Sequence, residues 1–347
     1  MFEIDGSQKS GSGTILRLAV ALAAIKGEPL HIVNIRQNRP KSGLKPQHLE
    51  AVLTAAKLCS AETKGATLGS RELWFTPHEI KGGVFEAEIG TAGSIPMLLM
   101  AVLPICLFAK EPVQMRVTMG GTDTTHAPTI NYLRNVFLVA LKRMGIEAEL
   151  TVQRYGYYPK GNGEATLTVK PAPMLKPFRA ENFGKLLGIQ GVSVCTFLAD
   201  RKVAQRQAQA ASQTLTKKGY HVDIQIVNDT SNSVQKGSSI ALWAETDAGA
   251  ILGADSLGEL KKMAEAVGVE VAEKLASELA SQTTVDVNLS DMLVPYMALV
   301  KGESAYLTRV VSEHLEANIW LAEKMLNARF NVKSVGALYR VEKLAGT

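Results

Sequence analysis

Residues 14–36, TILRLAVALAAIKGEPLHIVNIR, fall into three parts. The first, 14–25, is apolar almost all round and rich in strong helix formers, so it reads as a buried helix. Lys26-Gly27-Glu28-Pro29 stops it with the glycine and proline that end helices. Residues 30–36, LHIVNIR, carry the β-branched bias of a strand. A polar loop, 37–46, leads to an amphipathic helix, 47–59. There Leu49, Val52, Leu53 and Ala56 take the i, i+3, i+4, i+7 spacing of a buried face.

The same order recurs twice. Helix 94–108 meets Lys110-Glu111-Pro112, strand 113–119, the loop GGTDTTHAP (120–128) and helix 129–144. Its stripe is Leu133, Val136, Phe137, Ala140, Leu141 and Met144. Helix 291–300 meets Lys301-Gly302-Glu303, strand 304–311 and helix 313–326, with Leu315, Ile319, Ala322 and Leu326 inward. Glu28 and Glu111 lie 83 residues apart, whereas Glu111 and Glu303 lie 192 apart. The third unit is delayed by a segment of small-domain size. Residues 184–280 fit that insertion, with strands at 191–198, 221–227, 239–245 and 250–254 and a helix over 202–218. A last helix follows, capped by Ser256 with Glu259, with Leu260, Met263, Val267, Val271 and Leu275 on one face. The expected fold is α/β (α+β): repeated units over 1–183 and 281–347, and a smaller α/β domain at 184–280 before the third.

Composition suits this architecture. The chain of 347 residues has 46% apolar and 20% charged side chains, enough to bury a substantial core. A net charge of +5 permits a polyanionic ligand without demanding one. Cys59, Cys106 and Cys195 form no CxxC pair and read as buried thiols of a reducing compartment. The acids Glu3 and Asp5 differ from the basic start of a signal peptide. Residues 92–109 are apolar but contain Pro96 and Pro104, and read as a buried helix rather than a membrane span. The expected location is cytoplasmic, or nuclear in a eukaryote, with no membrane association.

Equivalent strand-to-helix loops of packed repeats share a face. Those loops carry Arg36, Arg39, Gln47 and His48, then Thr122, Asp123 and His126, then His314. Arginines beside helix starts make an anion site. Arg17 stands inside an apolar helix, where a buried charge requires a partner or a ligand. The glycine-rich runs 5–17 and 155–164 do not match a P-loop, and no HExxH pair exists, so a zinc site is not expected. His31, His78 and His221 sit in strand or turn positions of no chemical promise.

Seven segments then occur in a telling order: DGS with GSGTILR (5–17), NIRQNRPKSGLKPQHL (34–49), GTAGS (90–94), GGTDTTHAP (120–128), YGYYPKGNGE (155–164), TVDVNLSDMLVPYMAL (284–299) and EHLEANI (313–319). This series resembles the RNA 3′-terminal phosphate cyclase family across nearly the whole chain. The resemblance implies three βαβαββ-type units with an inserted domain. It also implies ATP and a divalent metal, magnesium or manganese, acting on an RNA with a 3′-phosphate. A histidine would take AMP from ATP and pass it to that phosphate, and the 2′-OH would then close a 2′,3′-cyclic phosphate.

On this resemblance His314 matches the catalytic histidine. Arg17, Arg36, Arg39 and Gln47 match residues that face phosphates and the RNA end. Pro128, Asp291, Asn288 and Met100 match nucleotide-pocket positions, where the family has tyrosine at 288 and glutamine at 100. Ser10 stands at the metal position, where the family has glutamate, and Asn162 replaces one glycine of YPKGGG. A relative that binds RNA without cyclising it, as in ribosome assembly, is the alternative. Enolpyruvyl transferases use similar units, but six of them in two equal halves.

Overall fold

The computed structural model describes residues 1–346. The first unit comprises β1 (Phe2–Asp5), α1 (Gly13–Lys26), β2 (Leu30–Val33), α2 (Pro46–Cys59), β3 (Glu62–Lys64) and β4 (Leu73–Thr76). The second has β5 (Gly83–Glu88), α3 (Ile95–Cys106) and β6 (Val113–Gly120). It continues through α4 (Ile130–Tyr132), a π-helical turn (Leu133–Phe137), α5 (Leu138–Arg143), β7 (Ala148–Arg154) and β8 (Gly163–Val169). After β9 (Arg179–Ala180) come β10 (Leu186–Thr196), α6 (Val203–Lys217), β11 (Val222–Asp229), β12 (Gly237–Thr246), β13 (Ile251–Leu257) and α7 (Ala264–Ser281). The chain ends with α8 (Val287–Leu299), β14 (Ser304–Thr308), α9 (Glu313–Leu326), β15 (Phe330–Val335) and β16 (Leu338–Lys343).

Three of the four sheets share one plan. Their orders are β1-β2-β4-β3, β5-β6-β8-β7 and β9-β14-β16-β15. In each, the first pair is parallel and the other two pairs are antiparallel. The fourth sheet, β11-β10-β12-β13, lies between β9 and α8 in sequence.

Local chemistry sets the helix ends. Ser12, Ser94 and Ser312 cap α1, α3 and α9, each accepting a backbone N–H of the first turn. Gly27 ends α1 in the left-handed conformation at φ 64°, with its N–H bonded to Ala23 and Ala24. Helix α1 is buried along most of its length. Its fully enclosed Ile15 and Leu22 contribute about 1.5–3 kcal/mol each on leaving water.

Two hydrophobic clusters form, and the inserted sheet serves both. Its Ile240, Leu242, Leu252 and Ala254 pack with Val267, Val271 and Leu275 of α7. Its Val192, Val194, Ala241 and Ile251 join the main core instead. The period-two alternation of strands separates these two faces.

Several elements differ from the sequence expectation. Strand 30–36 ends at Val33, because Asn34 and Arg36 adopt φ of 54° and 55° and turn the chain. Strand 304–311 ends at Thr308. The buried side of α2 includes Ala51, Val52, Ala55, Leu58 and Cys59, so it is turned by about one residue from the expected stripe. The helix packs against both α1 and α3, and small alanines permit close approach that a periodicity of large side chains does not register.

The expected Ser256–Glu259 cap does not form. Ser256 pairs with Ile240 inside β13, and α7 starts at Ala264. Leu260 and Met263 are 98% and 64% exposed, outside the buried face that Val267, Val271 and Leu275 make. The apolar run near 92–109 gives the twelve-residue α3, and no helix among the described residues is long and apolar enough to cross a membrane.

Candidate functional site

A cavity of about 400 Å³ opens where the heads of several helices meet. Thr14, Asn288 and His314 all line it, and each is the second residue of its helix, α1, α8 and α9 respectively. Pro128 lines it from the turn before α4, and Met97, Met100 and Pro104 form a wall from α3. The inserted sheet supplies Asp255. Apolar walls with a few convergent polar groups are the usual make-up of a small-molecule site.

Arg17 is the buried cation of this cavity. It is 9% exposed, and its one side-chain hydrogen bond among the described residues runs from Nη2 to Thr14 Oγ1 at 3.4 Å. Burial, then the nearby charge of Arg36, pushes its pKa down to about 10, so it stays charged at neutral pH. No carboxylate neutralises it in an ion pair among the described residues, and a buried charge in that condition calls for an anion. Behind it lies His48, whose buried imidazole is driven down to about 2 by desolvation and then by Arg17, Arg36 and Lys45. His48 therefore remains neutral. A Cβ at Gly13 would stand 2.2 Å from His48 Nε2, so only glycine lets the head of α1 approach this close.

His314 sits at the mouth, exposed, with Nδ1 3.5 Å from Thr14 Oγ1. Partial desolvation, then Arg17 and Arg39, holds its pKa below the ordinary histidine value. A neutral imidazole keeps a lone pair available for attack. Asp291, in the same lining, has the opposite shift. Burial and then the neighbouring Asp286 raise it to about 8, against only a 3.5 Å bond from Ser312 Oγ. A neutral carboxyl both donates and accepts hydrogen bonds.

The structure gathers seven of the sequence-selected residues around the cavity: Arg17, Met100, His126, Pro128, Asn288, Asp291 and His314. Four others stand outside its lining. Arg36 is buried, and its Nη1 donates to the carbonyls of Lys41 and Gly43 at 2.8 Å each, so this nitrogen ties down the loop. Gln47 Oε1 accepts the N–H of Ser94 at 2.9 Å, which fixes the head of α3. Arg39 is exposed and reaches the Ser10 carbonyl at 3.5 Å. Ser10 is buried, with Oγ 2.9 Å from Ser12 Oγ.

Thr14, Asp255 and Met97 were not singled out from the sequence. A helix-head hydroxyl directly after a glycine-rich loop was the available signal for Thr14. Nothing local marks Asp255, which the inserted sheet delivers from a distance.

Fold and cavity together define a three-unit α/β repeat protein whose cavity encloses a buried arginine. The sequence profile described as RNA 3′-terminal phosphate cyclase matches residues 8–332. A protein of that name from Pyrobaculum aerophilum is 43% identical over 339 residues, covering 98% of this chain and 97% of the relative. One from Pyrococcus furiosus is 44% identical over 333 residues, covering 96% and 95%. One from Methanopyrus kandleri is 42% identical over 337 residues, covering 96% and 95%. The chain belongs to the RNA 3′-terminal phosphate cyclase family.

Proposed function

We propose that this protein converts an RNA 3′-terminal phosphate into a 2′,3′-cyclic phosphate at the expense of ATP, through a histidine–AMP intermediate on His314. The observation that carries the reading is the His314 imidazole in the lining of a cavity whose buried cation, Arg17, has no carboxylate partner among the described residues. His314 Nε2 attacks the α-phosphorus of ATP, the new N–P bond forms, and pyrophosphate leaves with the electrons of the broken P–O bond. An oxygen of the RNA 3′-phosphate then takes the adenylyl group and frees the imidazole. The 2′-hydroxyl attacks the activated 3′-phosphorus, closes the ring and expels AMP. Arg17 stabilises phosphate charge as it builds, in a site where water screens little. Arg39, exposed outside the cavity but near enough for its charge to act on His314, meets the RNA end, and Pro128, Met100, Asn288 and Asp291 surround the nucleoside.

A divalent cation, magnesium or manganese, is the family's expectation. The residues present do not fit a cation held by protein groups. Ser10 offers a neutral hydroxyl already bonded to Ser12, and the described residues contain no cluster of three His, Cys, Asp or Glu side chains placed to hold one. The three cysteines are free and buried, which suits the reducing cytoplasm.

Incubation with α-labelled ATP and denaturing electrophoresis tests the reading. Label should enter the protein, vanish in His314→Ala, and leave on addition of a 3′-phosphorylated oligonucleotide as that end becomes cyclic. A protein that takes no label yet binds RNA ends belongs instead with the non-cyclising relatives of ribosome assembly.

A further inference from the structure

We infer that Thr14 is a positioning residue which holds His314 in the Nδ1–H tautomer and so leaves Nε2 as the nucleophile. The inference rests on His314 being the residue that takes the adenylyl group. Its geometry is independent of that chemistry. Thr14 Oγ1 lies 3.5 Å from Nδ1, and no other side-chain or backbone group among the described residues hydrogen-bonds the ring. The contact is long, as catalytic hydrogen bonds often are before a ligand tightens the site.

The tautomer follows from the bond-forming step. Free neutral histidine favours the proton on Nε2, which would block attack through that atom. Here Nδ1 faces α1, so Nε2 is the nitrogen left for a substrate. When Nε2 gives its lone pair to phosphorus, the ring becomes an imidazolium and Nδ1 must already hold its proton. An acceptor at Nδ1 is therefore worth more in the transition state than before it. Thr14 Oγ1 has two lone pairs and one hydrogen. One lone pair receives Arg17 Nη2–H at 3.4 Å, and the other faces Nδ1. Accepting Nδ1–H gives the proposed tautomer and donating O–H to Nδ1 gives the opposite one, two outcomes that nitrogen-15 spectra separate. Its β-branched side chain has few rotamers, and its own N–H is held by the Ser12 cap at 3.3 Å. The charged groups that act on the ring are Arg17 on α1, Arg39 in the loop after β2 and Glu313 on α9, while Asp291 on α8 lines the same cavity. None of these hydrogen-bonds Nδ1, so among the described residues Thr14 Oγ1 is the one group within hydrogen-bond reach of it.

Two measurements on the full-length protein decide it. Nitrogen-15 NMR of histidine-labelled protein, with His314→Ala to assign the signal, reads the tautomer without any turnover. The parent and Thr14→Ser should show Nδ1–H, and Thr14→Val should move toward Nε2–H. Single-turnover adenylation at saturating ATP should fall by about 10- to 100-fold in Thr14→Val, with the KM for ATP little changed, and recover in Thr14→Ser. An Nε2–H signal in the parent overturns the inference, as does a tautomer that Thr14→Val leaves alone. A Thr14→Ser variant as slow as Thr14→Val does so too. If the parent takes no label at all, the proposed function falls, while the NMR spectra still settle the hydrogen bond.

Discussion

Asp255 Oδ2 accepts the backbone N–H of Thr129 at 2.7 Å. The carboxylate stands on the last strand of the inserted sheet, and Thr129 caps α4, the second helix of the second unit. The inserted segment thus braces a helix start that borders the cavity, and Gly253 beside it donates to Asp286, the cap of α8, at 2.8 Å. Replacing Asp255 with alanine leaves the Thr129 donor buried, at a cost of about 1–3 kcal/mol. The expected result is a lower Tm together with weaker ATP binding by calorimetry. Unchanged nucleotide affinity at an unchanged Tm would show that the insert contributes nothing to the site.

Arg17 separates function from stability. A buried cation without an ion-pair partner is costly, and an apolar side chain of similar length removes that cost. Arg17→Met should therefore match or exceed the parent in Tm while losing at least about 100-fold in adenylation rate, the scale of a lost charge stabiliser. A fall in both would assign the guanidinium to folding.

The two loop arginines should behave differently. Arg36 holds two loop carbonyls from a buried position, and hydrogen bonds to charged groups contribute about 1.5–3 kcal/mol each. Arg36→Ala is expected to unfold at clearly lower temperature. Exposed Arg39 makes one long contact, so Arg39→Ala should keep the parent's Tm. It should weaken binding of a 3′-phosphorylated RNA more than of a 3′-hydroxyl RNA, measured by fluorescence anisotropy. Equal weakening of both ends would mean that Arg39 contacts the strand generally.

Asp291 gives a pH dependence of unusual sign. Its carboxyl titrates near 8 in the fold and near 3.8 when unfolded, so between those values the native state binds more protons. Stability then falls as pH rises across that window and is level above it. Asp286 and Asp123, both raised to about 7, act in the same direction. Asp291→Asn should flatten part of the decline of Tm between pH 5 and pH 8. Buried His48, held neutral, acts in the opposite direction below about pH 6.5, so the comparison is between variants. An Asp291→Asn protein whose Tm follows pH just as the parent's does would contradict the assignment.

The starts of α1, α3 and α9 were legible in the sequence because their causes are local, whereas α8, expected from 291, starts at Val287 under the cap of Asp286. Ser12, Ser94 and Ser312 each sit within three residues of the N–H they cap, and the glycine and proline after the helices act on their own backbone. The same local logic misread Ser256, because strand pairing with Ile240 satisfies its backbone in β13 and leaves no helix to cap. The face of α2 was misread for a related reason, since its neighbours α1 and α3 select the small side chains.

By itself the sequence determined the kinds of element, the recurring order of helix, turn and strand, and the oddity of an arginine in an apolar helix. Each is a property of residues a few positions apart, or of a pattern repeated along one chain. Tertiary structure alone decided which polar groups meet. Thr14 and His314 are 300 positions apart and come together only because α1 packs against α9. Asp255 reaches the cavity through a sheet whose other face is buried against its own helices. Arg36 and Arg39 look alike in the sequence. The turn at Asn34 and Arg36 buries one against loop carbonyls and leaves the other in water. Burial and partner then decide what each charge does, because its energy depends on the groups around it and on how much water reaches it.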